Sequence, residues 1–241
     1  MMAIRSGARA QFETEGIVLY VRDFGDSNRI LEVLTPEAGL TRLVARGGRA
    51  SRRRFGGALD LFVSLRMQCS SGGGDLLTLV AADVLDARYG IRSSLGSIGR
   101  ASVLVECGRL LAVEEQPMRG LYEAVRDGLD SLVRGDTVAA AQSYPRILGA
   151  SGVAPNVGKC SRCGALSPLS VALDVSLPGV LCAECVPRRP TVPASAFLGA
   201  QLAAADAGAL EEMVVTWVEA HVGRKFRSRV LMNSQECTGC S

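Results

Sequence analysis

Four cysteines constrain this chain more than any other feature: Cys160 and Cys163, then Cys182 and Cys185. They form two CxxC pairs separated by 18 residues, the spacing of a tetrahedral four-thiolate zinc site. Each CxxC turn aims two sulfurs at one point, and the intervening segment brings the second pair back. Gly164 follows the first pair, where a tight turn is needed, and Pro178-Gly179 punctuates the approach to the second. Four thiolates complete a tetrahedron and leave no position for a reacting water. One zinc ion held there is structural rather than catalytic. The competing reading is four unliganded thiols or a redox pair. The spacing, in a chain without a secretory signal, favours zinc.

The first residues, MMAIRSGARAQFETEG, lack the apolar stretch of a signal peptide. The longest apolar runs, such as 17–21 and 138–141, are far too short to span a bilayer. The chain is therefore expected to be cytoplasmic, without a membrane partner. Its hydrophobic content of 48% over 241 residues supports a real core. Cys69 and Cys107 stand alone, as reduced core cysteines do. Absences also inform. His221 is the single histidine, so an HExxH protease is impossible and any Ser-His or Cys-His pair has one candidate base. No GxxxxGK[ST] loop occurs, no GxGxxG follows a strand, and the CxE at Cys182-Ala183-Glu184 has no PCxxC after it. These absences argue against most familiar catalysis, and the protein is expected to be no enzyme.

Along the chain, five β-rich runs occupy the first 86 residues, at 15–21, 29–35, 40–45, 59–68 and 76–85, separated by Gly- and Pro-containing turns. Five strands at this spacing suit a small antiparallel barrel of the OB-fold type. Helical periodicity follows: 97–113, then 117–135 with Pro117 at its first position, then 137–148 with Pro145 as a kink or break. Beyond the cysteine module, two more helices are expected near 195–205 and 207–222. The predicted architecture is α+β and multidomain. Residues 1–86 form a five-stranded OB-fold barrel, 87–154 the first part of a helical domain, 155–187 the four-cysteine zinc module, and 188–241 the rest of the helical domain and a tail.

Net charge is +3, unevenly spread. Residues 1–74 carry eleven arginines against seven acids, and the most basic window, 46–54, holds Arg46, Arg49, Arg52, Arg53 and Arg54 with no acid. On a Gly-rich loop between the third and fourth strands, these arginines are candidates to neutralise phosphates and to stack on bases. The alternative is a solvated loop in an arginine-biased sequence, since only Lys159 and Lys225 are lysines. Among the scarce aromatics, Tyr20 and Phe62 fall within strands and read as core. Phe24 and Phe55 fall in predicted loops and are the candidates for base stacking. Arg22, Arg29, Arg42 and Arg66 are weaker contact candidates. The late run Arg224, Lys225, Arg227, Arg229 follows a helix and admits three uses: the helix C-terminal dipole, DNA, or the acidic tail of a partner. The final Cys237-Thr238-Gly239-Cys240 is a third CxxC, half a ligand set by itself.

In order, several segments resemble one family. They are Thr14-Glu15-Gly16-Ile17-Val18-Leu19; Phe24-Gly25-Asp26-Ser27-Asn28-Arg29-Ile30; Leu34-Thr35-Pro36-Glu37-Ala38-Gly39; Ala45-Arg46-Gly47-Gly48-Arg49; Arg54-Phe55-Gly56-Gly57-Ala58-Leu59; Ile147-Leu148-Gly149-Ala150-Ser151-Gly152-Val153-Ala154-Pro155 leading into Cys160-Ser161-Arg162-Cys163-Gly164; and His221-Val222-Gly223-Arg224-Lys225-Phe226-Arg227-Ser228-Arg229. Their order and spacing resemble the bacterial recombination mediator family RecO over most of the chain. The CTGC tail departs from that pattern. The resemblance implies an N-terminal OB-fold, a helical domain and an inserted four-cysteine zinc module. It also implies binding of single- and double-stranded DNA, annealing of complementary strands, and partnership with RecR. Contact with single-strand-binding protein, so that RecA is loaded during gap repair, is implied as well. Two other classes stand beside it: an RNA-binding zinc-ribbon protein of translation or transcription, and a structural adaptor whose basic loop is incidental.

Overall fold

The computed structural model describes residues 11–49, 55, 57–71, 76–176 and 179–233. Two compact units emerge. One holds the described residues up to Ala87 together with Glu114–Pro117, and the other holds Arg88–Val113 and the chain from Met118 onward. No helix among the described residues is long and apolar enough to cross a membrane.

The first unit is a closed five-stranded barrel: β1 (Gln11–Phe24), β2 (Asn28–Thr35), β3 (Gly39–Ala45), β4 (Ser64–Ser70) and β5 (Leu77–Asp86), in the order β1-β2-β3-β5-β4. That is the OB-fold arrangement expected from the strand count. Closure depends on β1, which is 14 residues long. Its first half pairs antiparallel with β4, from Gln11↔Ser70 to Ile17↔Ser64, and its second half with β2, from Ile17↔Leu34 to Phe24↔Asn28. A register shift between Val18 and Tyr20 lets it bend between the two partners. The short parallel contact of β3 with β5 completes the ring. Alternation is clearest in β4, where Leu65, Met67 and Cys69 are buried while Arg66 and Gln68 face outward. They join Val18, Leu31, Val33, Leu43 and Leu79 in the barrel core.

Gly16 sits where β1 turns from one partner to the other. A Cβ there would stand 2.4 Å from Val33 Cγ1, 3.0 Å from the Leu34 carbonyl oxygen and 3.1 Å from Met67 Cε. Val33 is β-branched and buried, so it yields little. Gly16→Ala is expected to destabilise the barrel by about 1–3 kcal/mol through overpacking, read as a lower urea midpoint with an unchanged m-value. An unchanged midpoint would mean that the strand relaxes freely at this bend.

The second unit is built on α1 (Leu95–Leu111), α2 (Arg119–Val133), α3 (Thr137–Ala141), α4 (Ser143–Ala150), α5 (Ala207–Val222) and the short α6 (Arg229–Asn233). Ser94 caps α1 by accepting from Ser97 N–H at 3.1 Å, and Asp136 caps α3 by accepting from Ala139 N–H at 2.9 Å. Two expectations are corrected here, at Pro117 and at 195–205. Pro117 is not the first residue of α2. Residues Glu114–Pro117 belong to the barrel unit, where Glu114 bridges Gly39 and pairs with Arg42 at 2.9 Å, so the helix starts after Met118. The break expected within 137–148 is present, and two helices take that stretch. Pro145 has no N–H to offer the Ala141 carbonyl, and it lies in the first turn of α4, where that donor is not needed. No α-helix spans 195–205. Two 3-10 turns, Ala194–Leu198 and Ala204–Asp206, stand in its place, with Gly199 at φ 86° ending the first.

Between α4 and α5 lies a three-stranded sheet of β6 (Ser170–Leu173), β7 (Val180–Cys182) and β8 (Val192–Pro193), ordered β7-β6-β8. One face packs on α5. Val157, Val171, Leu173, Val180 and Ala194 bury against Met213 and Trp217, and Trp217 Nε1 donates to the Val153 carbonyl at 3.0 Å.

Candidate metal centre and nucleic-acid surface

The two CxxC turns meet at the end of this ribbon. In the first, Gly164 N–H donates to the Cys160 carbonyl at 3.0 Å and Cys160 N–H to the Ala165 carbonyl at 2.9 Å, which folds residues 160–165 into a tight knuckle. Gly164 takes φ 77°, a left-handed conformation that a side chain disfavours. In the second, Cys182 ends β7 and a 3-10 turn, Ala183–Cys185, brings Cys185 round. Ser161 N–H donates to the Val180 carbonyl at 2.8 Å and ties the knuckles together. Gly179 makes this approach possible, since a Cβ there would stand 2.6 Å from Ser161 Oγ.

All four sulfurs lie within 4.8 Å of one another and could hold a metal ion. Cys160 Sγ and Cys185 Sγ are 3.9 Å apart, and Cys163 Sγ and Cys182 Sγ 3.6 Å. The edge of a tetrahedron with zinc–sulfur bonds of about 2.3 Å is ~3.8 Å, so the donor set fits such an ion in number, type and spacing. Backbone N–H groups of Cys163 and Cys182 pull the Cys160 thiol down to about 6, whereas the Glu184 side chain pushes the Cys182 thiol up. The Cys182 N–H lies 3.4 Å from the Cys160 sulfur. Arg162 Nη1 donates to the Cys185 carbonyl at 2.8 Å and sets a cation beside the four sulfurs. Ala172, Leu181 and Val186 close the apolar floor.

The basic segment begins beside the β1–β2 turn. Gly47 N–H donates to Asn28 Oδ1 at 3.0 Å, Arg49 N–H to the Ser27 carbonyl at 3.0 Å, and the Arg49 guanidinium to the Asp26 carbonyl at 3.3 Å. Arg46 and Arg49 are both exposed, and Phe24, paired with Asn28 at the mouth of the turn, leaves half of its surface to solvent. The fold thus brings Phe24 and the start of the arginine loop to one end of the barrel. Arg52, Arg53 and Arg54 lie outside the described residues. Phe55 is corrected. Its ring is 2% exposed and packs with Ala58, Leu59 and Val63 against the barrel core, so it is not available to stack on a base. It is buried together with Ala58, Leu59 and Val63 of the apolar run after it, which packs on the barrel core ahead of β4.

Residues that sequence reasoning missed are the acids and amides holding this loop. Asp23 pairs with Arg29 at 3.3 Å and with Arg49 at 3.7 Å, and Arg29 Nη1 also donates to the Leu59 carbonyl at 3.2 Å. No local sequence signal links 23 or 28 with 47 and 49; the pairing of β1 with β2 (Asp23 opposite Arg29) and of β2 with β3 (Arg29 opposite Ala45) brings them together. Two of the weaker candidates are engaged on the barrel surface, Arg42 with Glu114 at 2.9 Å and Arg66 with Glu15 at 3.0 Å. Arg22 is exposed. In the late basic run, Arg229 pairs with Glu212, and its Nη1 lies 2.7 Å from Glu219, while Lys225 Nζ donates to Glu219 at 2.8 Å. Arg224 and Arg227 are exposed. His221, in the last turn of α5, is exposed as well.

Comparison with known proteins places these features in context. Residues 9–88 match the family model described as "Recombination protein O N terminal", and residues 92–230 match "Recombination protein O C terminal". A relative from Anaeromyxobacter sp. (strain K), named "DNA repair protein RecO", is 35% identical over 235 residues, covering 89% of this chain and 92% of its own length. Relatives of the same name from Myxococcus xanthus (29% identical, covering 90% of this chain and 95% of the relative) and Thermobifida fusca (30% identical, covering 80% of each) are similar.

Proposed function

The chain belongs to the RecO family of DNA repair proteins, and on that premise we propose that it is a non-enzymatic recombination mediator. It binds single- and double-stranded DNA, anneals complementary strands, and acts with RecR to load RecA onto DNA coated with single-strand-binding protein during gap repair. Its place of action is the cytoplasm, at the nucleoid. The observation that carries the DNA-binding part is the arginine loop anchored beside the exposed Phe24 at one end of an OB barrel. Arg46 and Arg49, with Arg52, Arg53 and Arg54 further along, neutralise backbone phosphates, and Phe24 supplies a stacking face. Contacts made to the backbone leave base edges free, which annealing requires. Asp23 beside Arg49 keeps the guanidinium engaged until a phosphate replaces it.

The second part of the proposal is a single structural zinc ion on Cys160, Cys163, Cys182 and Cys185. The ion supplies a cross-link between the two knuckles and no reacting group. The protein's own residues do the rest. Cys160 and Cys182 anchor the inner side, Arg162 offsets the charge, and the ribbon's apolar face holds α5.

The test is annealing of two complementary DNA oligonucleotides, one precoated with single-strand-binding protein, over a salt series. The wild type is compared with Arg49, Arg52, Arg53 and Arg54 changed together to Ala, and with Phe24→Ala. The fourfold variant is expected to flatten the dependence of log K on log salt by up to ~3 for single strands, at ~0.7 per lost phosphate contact. Phe24→Ala is expected to weaken single-strand binding by ~1–3 kcal/mol while leaving duplex binding nearly intact. Annealing that persists unchanged in the fourfold variant would move the DNA path off this loop. Absence of DNA binding at every salt would sink the mediator reading.

A further inference from the structure

Cys160 and Cys182 are buried and Cys185 is partly covered, whereas Cys163 is exposed. Its sulfur also stands 3.6 Å from Cys182 Sγ on the opposite knuckle. An oxidant arriving from solvent meets one sulfur and leaves it within reach of a second. The isolated cysteines Cys69 and Cys107 offer no such pairing. Both are buried, and burial raises their thiols to about 11 and about 12, the protonated form that reacts slowly.

We propose that the four-cysteine centre is a peroxide-sensitive modification site, attacked at Cys163 and resolved by Cys182, with release of its metal. The inference rests on the metal reading above and extends it to chemistry of the protein's own sulfurs. In the first step the Cys163 sulfur attacks the terminal oxygen of a hydroperoxide. The O–O bond breaks, a sulfenic acid forms, and the alkoxide (hydroxide when the oxidant is hydrogen peroxide) leaves and takes a proton from solvent. In the second step Cys182 attacks the Cys163 sulfur, the S–S bond forms, and the second oxygen leaves as water after protonation. Two thiolates lose two electrons in total, and the peroxide is reduced to water and an alcohol, or to two waters for hydrogen peroxide. The divalent ion is left with Cys160 and Cys185 alone, half of its ligand set, and dissociates. The ribbon then loses its cross-link, and the change reaches the buried face where Trp217 donates to the Val153 carbonyl. Trp217 is the single tryptophan of the chain, so its fluorescence reports the event directly.

The test uses the full chain, reduced and loaded with one equivalent of zinc, in a Cys237→Ser/Cys240→Ser background so that the tail thiols cannot consume oxidant. Hydrogen peroxide is added, and three signals are followed: zinc captured by a chromogenic chelator, Trp217 fluorescence, and cysteine states mapped by mass spectrometry with a sulfenic-acid trap present. The expected result is loss of one zinc per chain, trap on Cys163 at early times, and a Cys163–Cys182 disulfide later. Dithiothreitol with added zinc reverses all three signals. Cys163→Ser tests the order of events wherever the remaining three thiolates keep the ion, and peroxide-driven release then slows by at least ~tenfold. Where that variant loses zinc, the early trap on the zinc-loaded background protein decides. Zinc retained under excess peroxide overturns the proposal. So does a first trap on Cys160, Cys182 or Cys185, or release without the Cys163–Cys182 disulfide. A reduced chain that takes up no zinc overturns the metal reading itself, before any oxidant is added.

Discussion

Removing the metal from the reduced protein, by chelation or by Cys160→Ser, is expected to unfold the ribbon while leaving the barrel folded. The ribbon has little else to hold it. Its strands are four, three and two residues long, and a unit of about 40 residues rarely buries enough apolar surface to stand without a metal or disulfide. Structural zinc contributes ~10–16 kcal/mol of apparent binding energy in finger peptides near neutral pH, and a preformed site rarely survives without it. Part of that loss is offset here, because Val157, Val171 and Val180 also pack against Met213 and Trp217 of α5. The measurement is calorimetry alongside Trp217 fluorescence, with and without chelator. A new transition at lower temperature, with loss of the Trp217 signal and no movement of the barrel transition, is the expected outcome. A melting profile indifferent to chelator would show that the apolar face alone holds the ribbon, and that the four sulfurs form no stabilising metal site.

The second large effect is expected at Glu219. This carboxylate is almost fully buried on α5 and accepts from Phe226 N–H at 2.9 Å, Lys225 Nζ at 2.8 Å and Arg229 Nη1 at 2.7 Å. Glu106 on α1 does the same work one step along, accepting from Arg227 N–H at 3.0 Å and from Ser228 N–H at 2.8 Å. Together the two acids fasten residues 225–229 to the helices and seat Phe226 in the interior. Glu219→Ala removes the acceptor and leaves a buried N–H and a half-buried guanidinium without their partner. Breaking a buried pair in this way costs about 3–5 kcal/mol. For a unit of this size that corresponds to a fall in Tm of roughly 6–20 °C. Glu212, also an Arg229 partner but half exposed, provides the control, and Glu212→Ala is expected to cost less than ~1 kcal/mol. Thermal denaturation and protease susceptibility near 224–229 check both. Equal, small losses in the two variants would mean that the C-terminal segment is held by Phe226 packing rather than by its carboxylates.

The same segment shows where sequence reading stops. The run Arg224, Lys225, Arg227, Arg229 is a visible cluster of charge, and its uses as dipole partner, DNA contact and peptide receptor are all compatible with composition. The acids that claim Arg229 and Lys225 lie on α5 close by, but Glu106, which fixes the backbone between them, is more than a hundred residues away. Phe55 teaches the same lesson in the barrel. In sequence it follows three arginines and precedes two glycines, the setting of an exposed loop. Only the closing of the barrel offers it an apolar pocket. Pro117 reads as a helix start because a proline suits that position. Glu114–Pro117 is instead held on the barrel, and a local rule cannot register a distant anchor.

What the sequence by itself determined was whatever depends on short-range chemistry. Five strands can be read from alternation and turns, and the break at Pro145 from a missing N–H. The four-sulfur cluster can be read from two CxxC pairs, because ligand spacing within a knuckle is local and the ion's geometry dictates the rest. The order of strands in the barrel, the burial of Phe55, the seating of Arg49 against Asp23, and the exposure of Cys163 among three more covered sulfurs were decided by the tertiary structure. Each of these depends on which distant groups share a surface once water is excluded. Burial and charge pairing are properties of that shared surface rather than of any stretch of chain.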